Sequence, residues 1–144
     1  MAGSDSLATI TQYVVDQLTS TGSLGLQEVH FGDQDLIQAV PAACVEPISV
    51  ERELIEARRF VNCTISLDIL VYEGNLENRG LTLKQALQKG EAVMDVLDAL
   101  DTLGGNALFS WCTDLEVGQL QKGNAILAAS KIGFRAISQV QLAS

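Results

Sequence analysis

One stretch of alternating side chains constrains the fold of this chain more than any other feature. In residues 61–71, apolar side chains occupy every second position, namely Val61, Cys63, Ile65, Leu67, Ile69 and Val71. Because successive side chains of a strand point to opposite faces, the pattern predicts a strand with one buried and one polar face. Residues 42–45, preceded by Pro41, predict a partner strand, and Pro47 predicts an edge or a bulge in it.

A segment of mixed charge, residues 51–59, separates these two strands and predicts a hairpin tip. Two interpretations remain open: a solvated turn, or an arm that contacts a neighbouring copy of the chain. In the second interpretation the charges set the register and the apolar residues contribute most of the affinity. The candidate subunit-contact residues are Glu51, Arg52, Glu53, Leu54, Ile55, Glu56, Arg58 and Arg59.

Two helices are predicted from apolar residues spaced three and four apart. The first covers residues 4–20 and has Ser4 or Ser6 as its cap. The second begins at Thr82, which forms a capping box with Gln85, and ends at a glycine pair, residues 104–105. Its predicted buried stripe comprises Leu83, Ala86, Leu87, Val93, Met94 and Leu97, and Gly90 marks close packing on the sheet.

A second hairpin follows, with strands at residues 107–117 and 125–142, a turn at residues 119–124, and a bulge or bend at Gly133. Residues 28–31 have the pattern of a further short strand. The expected fold is α/β, more closely α+β. It has a four-stranded, largely antiparallel sheet, two helices packed on one face, and a projecting β-hairpin. Residues 1–144 form a single domain in this prediction.

Charge and cysteine content limit the classes of function. The net charge is −9, and no Lys or Arg precedes Arg52, which argues against a protein that binds nucleic acid through its phosphates. The acidic first third predicts either a surface for a basic partner or DNA passage, or a device for solubility. The chain has no apolar run near the ~20 residues of a membrane span and no signal peptide, so we expect a soluble protein. Three cysteines, Cys44, Cys63 and Cys112, are expected to be reduced and buried.

Residues that could support catalysis are scarce. His30 is the only histidine, and a lone histidine is more often structural than catalytic. Asp68 is expected to be solvated or paired with a neighbour. The sequence has no phosphate-binding glycine loop and no zinc-ligand spacing. We therefore expect no enzyme, no catalytic residue, no cofactor and no metal.

Residues 41–72 resemble the tail terminator group of the tail-completion proteins of tailed bacteriophages. The matching pieces are PAACVEP, REL in the turn, and the strand that ends in ILVY. In that group an amphipathic helix precedes the ribbon, and a second helix and a closing hairpin follow it, which is the order predicted here. The resemblance implies a virion structural protein that forms a hexameric ring on the last tail-tube ring and stops tube growth.

The same resemblance implies the partners of such a ring. These are other copies of the chain, the major tail-tube protein, and a head-completion (stopper) or neck protein, at the head–tail junction of a virion assembled in the host cytoplasm. Genome DNA would pass through the channel without sequence-specific binding, and no membrane is involved. An acidic lumen would repel phosphate. Lys131 and Arg135 on the last strand depart from such a lumen if their face lines the channel.

One alternative from another class is a small ligand-binding or regulatory module with a similar layout. Such a module needs convergent polar groups among apolar walls, and the sequence does not reveal them.

Overall fold

The alternating segment lies at the centre of the sheet. The structure is a computed structural model that describes residues 6–55, 60–75, 79–100, 102–105, 107–123 and 125–142. In chain order its elements are α1 (Leu7–Ser20), β1 (Glu28–Phe31), β2 (Ala42–Ile55), β3 (Phe60–Asn75), α2 (Arg79–Asp98), β4 (Phe109–Lys122) and β5 (Ala125–Gln141). Short 3-10 helices lie at Gly22–Leu24 and Leu103–Gly105. None of the helices in these ranges is long and apolar enough to cross a membrane.

The sheet has five strands in the order β1-β2-β3-β5-β4, so the prediction of four strands is wrong. The fifth is β1, which pairs in parallel with β2, with Glu28 opposite Ala42. All other pairs are antiparallel. The pattern of residues 28–31 indicated a strand, but a run of four residues does not reveal its partner. That partner begins fourteen positions later and on the far side of a loop.

The ribbon of β2 and β3 is longer than predicted. The strand β2 continues to Ile55, so residues 51–55 are paired strand rather than turn. The register shifts between Pro47 and Ser49, which confirms the predicted bulge. At its far end β3 also pairs with β5, from Phe60 opposite Gln141. The predicted projecting hairpin is therefore part of the sheet, which at this end consists of β2, β3 and β5.

Both helices cover the same face of the sheet, as predicted. Ser6 is the N-cap of α1, and its Oγ accepts a hydrogen bond from the Thr9 N–H at 3.1 Å. The helix α1 packs on β1 and β2, and α2 packs on β3, β4 and β5. The core between the helices and the sheet includes Ile10, Val14, Leu18, Ala43, Val45, Ile65, Leu67, Ile69, Val71, Val93, Leu97, Ile132, Phe134 and Ala136, all at most 1% exposed. The apolar set of β3 is thus the floor of this core.

The helix α2 differs from its prediction at both ends. It begins at Arg79, so Thr82 lies within the helix and is not its cap, and it ends at Asp98, before the glycine pair. Leu87 is 37% exposed instead of buried. Gly90 does pack closely on the sheet, because a Cβ at this position would lie 2.7 Å from Cβ of Ser130.

The second hairpin is also longer than predicted. The strand β4 runs to Lys122, so most of the turn predicted at residues 119–124 is strand. The register shifts between Cys112 and Asp114, opposite Gly133. A Cβ at Gly133 would collide with the side chains of Thr113 and Asp114. The irregularity predicted at Gly133 therefore exists, but the extra residue belongs to β4.

Candidate subunit interface

The described candidate contact residues lie on the outer half of β2. Glu51, Glu53 and Ile55 pair with Thr64, Asn62 and Phe60, and their side chains share the face of the sheet away from the helices, which we call the open face. Arg52 and Leu54 point to the helix side. All but Ile55 are exposed.

Glu56, Arg58 and Arg59 lie outside the described residues, so the structure places five of the eight predicted contact residues together on one strand. The acidic and basic side chains of residues 51–53 therefore lie on a strand and not in a turn.

The sheet has two open edges in the part of the chain that the structure describes. The strand β1 pairs with β2 only from Ala42 to Val45, so no strand pairs with the outer side of β2 beyond Val45. The strand β4 pairs with β5 alone, and its other side has no strand partner within the described residues. An open edge presents backbone N–H and C=O groups that another strand can pair with.

The β4 edge is unusually apolar. Phe109 and Trp111 stack on the open face with ring centroids 5.4 Å apart, and both are more than a third exposed. Val117 and Leu120 are 45% and 41% exposed farther along the same strand. The sequence prediction assigned this strand to the sheet but did not recognise it as an edge. The available signal was the spacing of Phe109 and Trp111, which are two residues apart and therefore lie on the same face of a strand.

The charges of the open face are partly paired. The Lys131 Nζ lies 3.5 Å from Asp68 Oδ2, so Asp68 has the neighbour that the sequence interpretation allowed for. The guanidinium of Arg135 donates to the backbone O of Phe134 at 3.2 Å. Lys131 and Arg135 of the last strand therefore lie on the open face, as their even spacing predicted, and Lys131 forms an ion pair with the Asp68 carboxylate.

A loop covers the open face around Cys44 and Tyr72, and the sequence did not predict this loop. Residues 32–40, which we call the strap, bring Ile37 and Val40 over a small cluster of buried residues that includes Cys44 and Tyr72. Carboxylates hold the strap at both ends. Glu46 Oε2 accepts from the Asp33 N–H at 2.5 Å. Glu28 Oε2 accepts from the N–H groups of Gln38 at 3.1 Å and Ala39 at 2.5 Å.

Asp33 connects the strap to two distant strands. Its Oδ1 accepts from the Tyr72 hydroxyl at 2.8 Å, and its Oδ2 lies 2.8 Å from Lys122 Nζ. The ammonium also lies 5.2 Å from the centre of the Tyr72 ring, within cation–π range. Three residues far apart in sequence thus form one cluster, which no local sequence pattern could show.

The cluster shifts the pKa of Asp33 and that of Tyr72. Burial raises the pKa of the Asp33 carboxyl, but the hydrogen bonds from Lys122 and Tyr72 outweigh it, so the pKa lies below its usual value. Burial, together with the Asp33 carboxylate, raises the pKa of Tyr72 well above its usual value. The backbone N–H of Ala39 and the side chain of His30 lower the pKa of Glu28. Glu28 and Asp33, two acids of the first third of the chain, therefore hold the strap as carboxylates.

The remaining reactive side chains have structural surroundings. His30 Nε2 lies 3.0 Å from Glu28 Oε1, on the short strand that pairs with β2. Cys44 and Cys63 are buried free thiols, as predicted, but Cys112 is only half-buried. Within the described ranges, no three His, Cys, Asp or Glu side chains are grouped so that they could hold a metal ion.

Comparison with known proteins gives a likeness of fold. No protein-family model and no curated protein sequence matches the chain. Among solved structures, the chain matches one from the "Virion of native gene transfer agent (GTA) particle" with a TM-score of 0.61 and 14% sequence identity. The match covers 90% of this chain and 94% of that one. At this identity the match establishes the fold alone.

Proposed function

We propose that this chain is a virion structural protein, and specifically the subunit of a tail terminator ring. The observation that carries the proposal is the fold it shares, over 90% of its length, with a chain of a gene transfer agent virion. The tail terminator resemblance of residues 41–72 supports the finer assignment. The two open sheet edges support assembly, because both offer backbone groups to further copies or to other proteins.

The ring has six copies in this proposal and caps the last ring of the tail tube. It stops tube growth, and its other surface binds a stopper or neck protein of the head. Glu51, Arg52 and Glu53 contribute to the contact between neighbouring copies, with Leu54 and Ile55 beside them. Exposed ion pairs are each worth only about 0–1 kcal/mol. The charges therefore select the register, and apolar contact supplies most of the affinity.

The role is structural rather than enzymatic in this proposal. It requires no cofactor, metal or membrane, and DNA passes through the channel without being read. The net charge of −9 supports this, because a protein that grips DNA through phosphates needs an excess of Lys and Arg.

The test is particle assembly without this chain. We expect tubes with a broad length distribution that are not joined to heads, measured by negative-stain electron microscopy. Expression of the natural chain in trans should restore uniform tails. A Glu91→Gln chain supplied in trans is the control and should also restore uniform tails, because Glu91 is exposed on α2, away from the β2 edge. Tails of normal length, joined to heads in the absence of the chain, would refute the proposal.

The alternative of a small ligand-binding module draws less support from the structure. A hollow beside the β4 edge, lined by Leu70, Gly118, Leu120, Ala129 and Lys131 among others, has a volume of about 170 Å³. Pockets for small molecules usually enclose about 300–1,000 Å³. A second hollow, beside α1, has a volume of about 530 Å³ but is wide open to solvent. No observation at either hollow favours a particular small-molecule ligand.

A further inference from the structure

The hollow beside α1 is a groove between that helix and the end of β1. Ala8, Gln12 and Asp16 are four residues apart on α1, so they line the groove as one row. Phe31, the last residue of β1, lines it as well. Because Phe31 pairs with the core residue Val45, its side chain lies on the helix side of the sheet, yet it is 43% exposed. The groove therefore has an aromatic wall that nothing in the described part of the chain covers.

The chemistry of the groove suits an arginine side chain. A second aromatic residue, Tyr13, lines it and packs against Gly104, where an added Cβ would lie 2.8 Å from Tyr13 Cε2. The Gln12 amide donates to Asp16 Oδ1 at 2.8 Å, which orients the carboxylate and leaves Oδ2 for another donor. Among the described residues that line the groove, Asp16 alone is charged. Guanidinium groups stack on aromatic rings and pair with carboxylates, so these side chains match an incoming arginine.

Two arginines occur together at the far end of the ribbon of β2 and β3. Ile55 pairs with Phe60, and the four residues that join them have the sequence Glu-Ala-Arg-Arg. Arg58 and Arg59 are the only two basic residues that are adjacent in the sequence. Beside them Leu54 is 53% exposed. Residues 54–60, which we call the ribbon tip, thus combine positive charge with apolar side chains.

The ribbon tip of a chain cannot reach the groove of the same chain. The strand β2 passes the groove at Val45, opposite Phe31, and ends at Ile55, ten residues later. Strand residues advance about 3.3 Å each, so about 30 Å separate the two points. The four residues that join β2 to β3 span at most about 14 Å when fully extended. A tip arginine that enters a groove must therefore belong to another copy.

We propose that the groove between α1 and β1 receives the ribbon tip of a neighbouring copy, where a tip arginine pairs with Asp16 and stacks on Phe31. The inference rests on the proposed ring and names the surface that receives its hairpin contact. Each copy contributes two different surfaces, one near each end of β2, so the contact is head-to-tail and closes into a ring. An exposed ion pair favours binding only weakly. Apolar contact between Phe31 and Leu54 of the neighbouring copy therefore supplies most of the affinity.

Carbodiimide coupling tests this contact, because it joins a carboxyl to an amine only where the two groups touch. Arginine has no reactive amine, so the test chain carries Arg58→Lys and Arg59→Lys, which keep the positive charge. A mixture of unlabelled and isotope-labelled chains is coupled at the highest soluble concentration, digested and analysed by mass spectrometry. We expect a peptide that joins Asp16 to position 58 or 59, with one partner of each isotope. The natural chain, which has arginine at both positions, controls for coupling of Asp16 to other amines.

Two groove variants of the test chain show whether the groove itself is the receiving surface. Phe31→Ala removes the exposed wall, and Ala8→Trp fills the groove from an exposed position of α1. Each should lower the yield of the joined peptide several-fold. Leu36→Ala is the matched control, because Leu36 is 58% exposed but lies on the strap, and it should leave the yield unchanged. Circular dichroism checks that each variant is folded, and the two groove variants are independent of each other.

Three results would overturn the inference. A joined peptide found only within chains of one isotope would place the tip in its own groove. A yield no higher than that of the natural chain would show that the tip and Asp16 do not meet. Equal yields from the folded groove variants and the strap variant would show that the groove is not involved. All three are measured on purified chains without tails, so the proposed function would still be decided by the particle assembly experiment.

Discussion

Replacing Gly90 with alanine should destabilise the protein, although the same change usually stabilises a helix. In an exposed helix interior, alanine is better than glycine by about 1 kcal/mol. Here the new Cβ would lie 2.7 Å from both Cβ and Oγ of Ser130 and 3.0 Å from Leu115 Cδ1. The Ser130 Cβ cannot rotate away, so α2 must move off β5. The move also strains the hydrogen bond from Ser130 Oγ to the Ala86 carbonyl, which is 2.6 Å long.

The magnitude follows from two opposed terms. Overpacking a close contact costs about 1–3 kcal/mol, and a contact between two fixed atoms lies near the upper end of that range. After the gain in helix propensity is subtracted, Gly90→Ala should lower the free energy of unfolding by about 2 kcal/mol. For a domain of this size, that corresponds to a fall in Tm of roughly 4–8 °C.

Urea denaturation followed by circular dichroism would measure the effect, with Gly22→Ala as the control. Gly22 has nothing within 4 Å of an added Cβ, so its change should be near neutral. Ser130→Gly removes both colliding atoms. The double variant Gly90→Ala/Ser130→Gly should therefore be more stable than the sum of the two single effects by about 1–3 kcal/mol. A Gly90→Ala protein as stable as the natural chain would refute the argument.

Four further predictions concern the strap and the thiols. Glu28→Ala should leave the Ala39 N–H without its acceptor and cost about 1–3 kcal/mol, with faster amide hydrogen exchange at Ala39. Because the pKa of Asp33 is lowered from 3.8, its ionised carboxyl adds to the free energy of unfolding above that pH. This stabilisation should disappear as the pH falls further, and Asp33→Asn should make the free energy of unfolding depend less on pH in this acid range. Burial raises the pKa of Cys44 from 9.0 to about 11, so stability should decline as the pH rises through that interval, and Cys44→Ala should reduce the decline. Thiol labelling of the native protein should modify Cys112 before Cys44, yet more slowly than a free thiol, because burial also raises the Cys112 pKa. Rapid labelling of Cys44 would contradict the position of the strap.

The parts of the fold that the sequence predicted are those with a local signal. The alternation of β3 determines its buried face, Ser6 caps α1, and Pro47 marks a bulge. Gly90 was recognised because glycine in a helix interior is costly unless another backbone or side chain lies close. Each of these features depends on a few neighbouring residues, and each appears in the structure as predicted.

The errors arise where local chemistry allows two structures. The charges of residues 51–53 are as compatible with an exposed edge strand as with a turn, and the pairing with β3 decides between them. The glutamines and Gly123 of residues 119–124 suggested a turn, but pairing with β5 extends the strand as far as Lys122. The cluster of Asp33, Tyr72 and Lys122 spans 89 positions, so only the completed fold brings it together.

The same strand order shapes how the chain can fold during synthesis. The pairing of Phe60 with Gln141 joins residues 81 positions apart, and β5 is inserted between two strands that precede it. Folds dominated by such distant pairings form slowly, because the entropy of closing long loops is lost before the contacts form. A ribosome will have released β2 and β3 as a hairpin long before their neighbour exists. Until residues 125–141 emerge, the side of β3 that later pairs with β5 is an open edge of the nascent chain, with which a wrong strand can pair.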